Sequence, residues 1–123
     1  MTKLKRRITV QSAKAKGRRL QQWVCQKISD LTGIPWGQDC PIESRPGGQN
    51  GCDVRLEKEI LIKFPFSVEC KSQESWSIPA WIKQAVSNQM PNTDWILFCK
   101  RKNELPIAVM DADAFFKLLK RVK

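Results

Sequence analysis

The chain contains no histidine and no tyrosine, and its five cysteines include no CxxC pair. Without histidine, and with cysteines odd in number and irregular in spacing, neither a Cys/His zinc site nor a disulfide framework is expected. Reduced thiols packed in the interior are the better reading, including Cys40 and Cys52, which bracket a glycine-rich loop without two further ligands. Without tyrosine or an RNP-like run of aromatics, an RNA-binding accessory role is disfavoured. Long apolar runs are missing too. The longest, residues 105–110, is six residues even counting Pro106, too short to span a bilayer. The N-terminus lacks the apolar stretch of a secretory signal, so an intracellular protein with no membrane partner is expected. Acid is absent from residues 1–19, which hold eight bases.

That basic block dominates the charge. The net charge is +10, yet the rest of the chain carries 14 bases and 12 acids, nearly in balance. Positive charge concentrated at one end points to a polyanionic partner, of which nucleic acid is the commonest. The alternative is a solvated tail that aids solubility. A length of 123 residues with 41% apolar composition fits one domain with one core.

Apolar periodicity predicts the elements. Residues 1–13 have no clear period and read as a basic flexible arm, leaving 14–123 as the domain. Leu20, Trp23, Val24, Ile28 and Leu31 recur at helical spacing and predict a helix over 15–31, stopped at Gly33. A short strand over 41–45 leads into the loop "PGGQNG". Cys52, Val54 and Leu56 alternate with Asp53, Arg55 and Glu57, and Phe66, Val68 and Cys70 alternate with Ser67, Glu69 and Lys71, which predicts two strands separated by a turn or short helical link. A second helix is expected over 78–89, with Trp81, Ile82, Ala85 and Val86 on one side. The continuous apolar run 95–99 predicts a strand covered on both faces. A strand over 105–110 and a helix capped by Asp111 complete the chain. The order predicts an α/β fold: a single mixed-sheet domain with flanking helices, αβββαβ plus a C-terminal βα.

Asp53 and Glu69 fall on the polar faces of consecutive strands. Were those strands neighbours, both carboxylates would converge at one end of the sheet, and with the backbone carbonyl of Cys70 would form an oxygen-rich site suited to Mg²⁺. Lys71 projects to the Glu69 side, where it can orient or deprotonate an attacking water and counter charge building on phosphorus. The competing reading is a solvated sheet face of cross-strand ion pairs, because this composition yields about two acid-x-base triplets by chance and the chain has three, Glu43–Arg45, Asp53–Arg55 and Glu69–Lys71.

These residues and their order resemble the PD-(D/E)XK nuclease superfamily, most closely the archaeal-type Holliday junction resolvases and small phage-encoded nuclease-like proteins. The likeness covers roughly residues 16–116. Lys16–Gly17 opens the first helix as in those resolvases. Arg45, Gly47–Gly48 and Asp53 resemble their arginine, glycine-rich loop and first metal-binding aspartate. Glu69–Cys70–Lys71 stands where their E-x-K lies, and Gln84 resembles the glutamine that follows it. The resemblance implies a restriction-endonuclease-like core and a metal-dependent endonuclease that hydrolyses phosphodiesters with Mg²⁺ or Mn²⁺, on branched DNA such as Holliday junctions. It implies Asp53, Glu69 and the Cys70 carbonyl as metal ligands, Lys71 as the catalytic lysine, and Gln84 and Gln21 in support. DNA contacts are expected from Lys16, Arg18, Arg19, Arg45, Gly47, Gly48 and Trp76, in the cytoplasm of a bacterial or phage-infected cell. Two departures stand out. Cys52 replaces the proline that names the motif and does no chemistry. Gln21–Gln22 occupies the turn where the family's first helix carries a metal-binding glutamate, and an amide contributes no charge.

Two other functions compete: a non-catalytic DNA-binding protein on a degenerate nuclease fold, and a nicking or mismatch-directed nuclease. Of the tryptophans, Trp76 is the candidate to stack on a base or wedge into a distorted duplex. Trp23, Trp36, Trp81 and Trp95 are expected in the core. Lys100 and Arg101 either extend the basic surface or belong to a solvated turn. Paired incision of a two-fold junction calls for two sites, hence a homodimer, through either the C-terminal helix (Phe115, Phe116, Leu119) or the Trp76 region.

Overall fold

A computed structural model describes residues 10–45 and 51–122. Helix α1, Val10–Thr32, buries Leu20, Gln21, Val24, Cys25 and Ile28. Gly33 ends it at φ +75°, a left-handed conformation that suits glycine, and its N–H bonds Ser29 O at 2.7 Å. The helix starts five residues before the expected position 15. Its first turns, "VQSAKAKG", hold the helix formers Gln11, Ala13, Lys14, Ala15 and Lys16 but no apolar stripe, so periodicity cannot register them. Positions 10–13 therefore belong to α1 rather than to the arm; the remainder of the expected arm, 1–9, lies outside the described residues. Trp23 and Leu31 were expected in the core but are 40% and 57% exposed. The buried stripe runs through Gln21 and Cys25 instead, which turns both of them to the flank.

Strands β1 (Ile42–Ser44) and β2 (Val54–Leu56) form an antiparallel pair, with Glu43 opposite Arg55. After the short helix α2 (Lys58–Lys63), β3 (Phe66–Ser72) runs parallel to β4 (Asp94–Lys100). Strand β5 (Ile107–Met110) is antiparallel to β4, giving a mixed three-stranded sheet in the order β3-β4-β5. Helix α3 (Ile78–Ser87) makes the crossover that a parallel pair requires. Helix α4 (Ala112–Leu119) is N-capped by Asp111, whose Oδ1 accepts from the N–H groups of Asp113 and Ala114. The domain is thus mixed α/β with flanking helices, as its patterning predicts. The expected strand order holds, but β1–β2 forms its own small sheet. One backbone bond, Asp53 N to Val68 O at 2.9 Å, ties it to the free edge of β3.

Two apolar clusters cover the two faces of the main sheet. Leu20, Val24 and Ile28 of α1 pack on Ile42, Val54 and Val68. On the opposite face Trp81 of α3 packs on Leu97 and Cys99. That two-sided burial explains the unbroken apolar run of β4. Trp36 and Trp95 are half-buried against these clusters, whereas Val86, expected beside Trp81, is 50% exposed. All five cysteines are free thiols. Burial pushes Cys25 up to about 12 and Cys99 up to about 11, which keeps both protonated. Among the described residues no helix is long and apolar enough to cross a membrane.

Candidate active site

Strand β3 presents a different chemistry on each face. Phe66, Val68 and Cys70 point into the α1 core, and Ser67 and Glu69 point beneath α3. There Ser67 Oγ shares a 2.6 Å bond with Thr93 Oγ1 and accepts from Met90 N. Glu69 is only 2% exposed, and its Oε1 accepts from Asn88 Nδ2 at 2.8 Å. Burial pushes the Glu69 carboxyl up to about 7, and the nearby Asp53 charge adds to the push against the Asn88 bond and Lys71.

Asp53 is clamped to the edge of β3 at two points and to the end of β1 at a third. Its N–H donates to Val68 O, its Oδ2 accepts from Cys70 N at 2.7 Å, and its carbonyl accepts from Arg45 N at 2.9 Å. Burial also raises the Asp53 carboxyl, opposed by the Cys70 N–H and by the charges of Lys71 and Arg45. A strand residue turns its N–H and C=O to one side, so the Cys70 carbonyl shares the edge that its N–H presents to Asp53. Asp53 and the Cys70 carbonyl share that edge, and Glu69 lies near enough for the Asp53 charge to act on its carboxyl. Lys71 is half-buried nearby.

The ion-pair alternative holds elsewhere and fails here. Glu43 and Arg55, directly opposite in register, pair at 2.9 Å. Glu43 is held below the usual carboxylate range by the Asp39 backbone N–H and by Arg55. None of the ion pairs among the described residues involves Asp53, Glu69 or Lys71. Two carboxylates, both raised by burial and one of them also by the charge of the other, are a chemical match for a hard divalent cation. Among the described residues no cluster of three or more His, Cys, Asp or Glu could hold a metal, so one bound here relies on Asp53, Glu69 and the Cys70 carbonyl.

The other expected residues divide. Gln21 is buried, and its Oε1 accepts from Ser44 Oγ at 2.6 Å, in the contact between α1 and β1 rather than on either carboxylate. Gln84 is exposed, and its side chain makes no hydrogen bond among the described residues. The amide that reaches Glu69 belongs to Asn88, one helical turn later at the end of α3, whose carbonyl also accepts from Cys52 Sγ at 3.2 Å. Its spacing of four from Gln84 was the available signal. Arg45 crowds Gly51: a Cβ there would lie 2.9 Å from Arg45 Nη1, and φ is +97°. Gly47 and Gly48 lie outside the described residues. Trp76 is no open stacking platform. Its Nε1 donates to Gln73 O, Arg101 sits 4.1 Å from the ring centre, and Trp81 packs 6.5 Å away. Lys16 and Arg19 line a cleft with Lys100, Arg101 and Lys102, while Arg18 lines a second with Arg45. In comparisons with known proteins, no family model, curated protein or solved structure matches the chain.

Proposed function

We propose that this chain is a metal-dependent DNA endonuclease acting on branched DNA. The observation that carries the reading is the nearness of Asp53, Glu69 and the Cys70 carbonyl at β3, with neither carboxylate in an ion pair among the described residues. These three groups would hold Mg²⁺ or Mn²⁺, which supplies positive charge against the charge that grows on phosphorus during hydrolysis. Asn88 holds one Glu69 oxygen and leaves the other to the metal. Lys71 orients the attacking water and counters charge at the phosphoryl oxygens. The bases of α1 and Arg45 grip neighbouring phosphates and set the register of the strand. Two-fold junctions would be cut by a homodimer, whose available apolar surface is the exposed side of α4, with Phe115, Phe116 and Leu119 about half exposed or more. An intracellular setting accords with five free thiols.

A second reading, a DNA-binding protein without activity, draws on Gln21: the helix position that could supply another charged ligand holds a buried amide committed to Ser44. Incubation with labelled linear, forked and four-way DNA, with and without Mg²⁺ or Mn²⁺, separates the two readings. Metal-dependent products that vanish with Asp53→Asn or Glu69→Gln, while binding in EDTA persists, support the enzyme. Binding without products supports the second reading, and single-strand nicks on linear DNA would favour a nicking enzyme.

A further inference from the structure

Helix α1 is a ridge between two basic clefts. On one flank Lys16, Arg19 and Trp23 face Lys100, Arg101 and Lys102 of the β4–β5 turn across about 610 Å³. On the other, Arg18 and Gln22 face Trp36, Ser44 and Arg45 across about 730 Å³. Helical geometry makes this division. Lys16, Arg19 and Trp23 follow at spacings of three and four along one strip, and Arg18 and Gln22 lie four apart along another. Gln21, Val24 and Cys25 are buried beneath the ridge.

Each cleft is lined by a residue that adjoins the candidate site. Ser72, next to Lys71 on β3, lines the first. Ser44 and Arg45 line the second, where Ser44 holds Gln21 and the Arg45 N–H holds the Asp53 carbonyl. Their chemistry also matches. The first has five bases against one acid, Glu104, beside Trp23, which is 40% exposed with Lys27 Nζ 5.3 Å from its ring centre. The second has three arginines against Glu43, beside Trp36. Cations with an indole at hand are what an unpaired strand needs, phosphates on the one and bases on the other.

We propose that the two clefts each take one DNA strand, so that the preferred substrate is a duplex that splays into two unpaired arms across α1, with the scissile phosphate where they part. The position of the scissile phosphate rests on the nuclease reading; the capture of separated strands does not require cleavage.

The test is fluorescence anisotropy of the full chain in EDTA with three labelled DNAs: a fork with two unpaired arms, the blunt duplex of the same sequence, and one arm alone. The fork should bind at least about tenfold more tightly than the blunt duplex, since stacking of even one base contributes that much. Trp23→Leu should erase the preference while leaving blunt-duplex affinity within about twofold, and Arg19→Ala with Lys102→Ala should weaken the fork by a larger factor than the blunt duplex. Arg19→Lys should retain it, and an unchanged thermal midpoint in each variant excludes misfolding. Equal affinity for fork and blunt duplex overturns the proposal, as does a variant that weakens both by one factor. Fork preference without metal-dependent cleavage sustains strand capture and overturns only the nuclease reading; absence of any DNA binding overturns both.

Discussion

Asn88 Nδ2 donates to Glu69 Oε1 at 2.8 Å, joining the end of α3 to the middle of β3 across 19 positions of sequence. A carboxylate that is 2% exposed has few orientations open to it, and this bond selects one. Asn88 is in this sense a positioning residue.

Removing that donor should therefore impair the site without touching either proposed ligand. Asn88→Ala leaves burial and the Asp53 charge less opposed, so Glu69 should hold its proton to a higher pH. Cleavage near neutral pH should fall about 10- to 100-fold, the usual cost of losing a group that orients a metal ligand, and recover partly as pH rises. A pH–rate profile that drops without shifting would show that Asn88 serves stability alone.

The metal-free protein should also report Glu69 through its stability. Its folded pKa, about 7, lies above the ordinary 4.5. The folded state therefore holds this proton more tightly than the unfolded chain, and its contribution to stability is full below about pH 4.5 and lost as pH rises through 7. Asp53 is shifted in the same direction. With no histidine in the chain, no other side chain ordinarily titrates in this window. In EDTA the thermal midpoint should fall between pH 5 and 8, and Glu69→Gln should flatten that slope. Millimolar Mg²⁺ should raise the midpoint at pH 8 in the wild type and not in Glu69→Gln. Equal metal responses in the two proteins would remove Glu69 from the ligand set.

Deletion of residues 2–9 removes Lys3, Lys5, Arg6 and Arg7 and stops short of α1, which begins at Val10. If those bases touch phosphates, the slope of log K against log salt should become shallower by up to about 0.9 per lost contact. An unaltered slope would mark the segment as a solubility tail.

Phe115 and Phe116 stack edge to face at 5.3 Å on the outer side of α4, and Phe116 is 62% exposed. Trp76, the other expected interface residue, is engaged by Arg101 and Trp81, so the α4 face is the surface proposed for a second copy. Light scattering at micromolar concentration should give about twice the 14.2 kDa chain mass, and Phe116→Glu should give one chain mass. A wild type that is monomeric both free and on a junction would remove the dimer and favour a nicking enzyme.

The local sequence determined the elements and their order. Alternation in 52–57 and 66–71 and the helical period after Leu20 report which positions are apolar, and burial follows them closely enough that β2, β3, α1 and α3 fall near their expected places. It also placed Asp53, Glu69 and Lys71 on polar faces. It could not distinguish a buried polar face from a wet one. Glu43 and Arg55 form an ordinary half-exposed pair, whereas Glu69 is sealed under α3, yet both acids belong to acid-x-base triplets.

Only the tertiary structure decided which polar groups meet. The Asp53–Cys70 bond closes over 17 positions and the Glu69–Asn88 bond over 19, and both depend on how β2 and α3 dock on β3. Docking also withdrew Gln21 to Ser44, left Gln84 in solvent, and turned Trp23 out beside a basic cleft. Periodicity is a property of single elements that sets which face is buried. The partner of a buried polar group is chosen by long-range packing, because only there does leaving it unpaired carry its full desolvation cost.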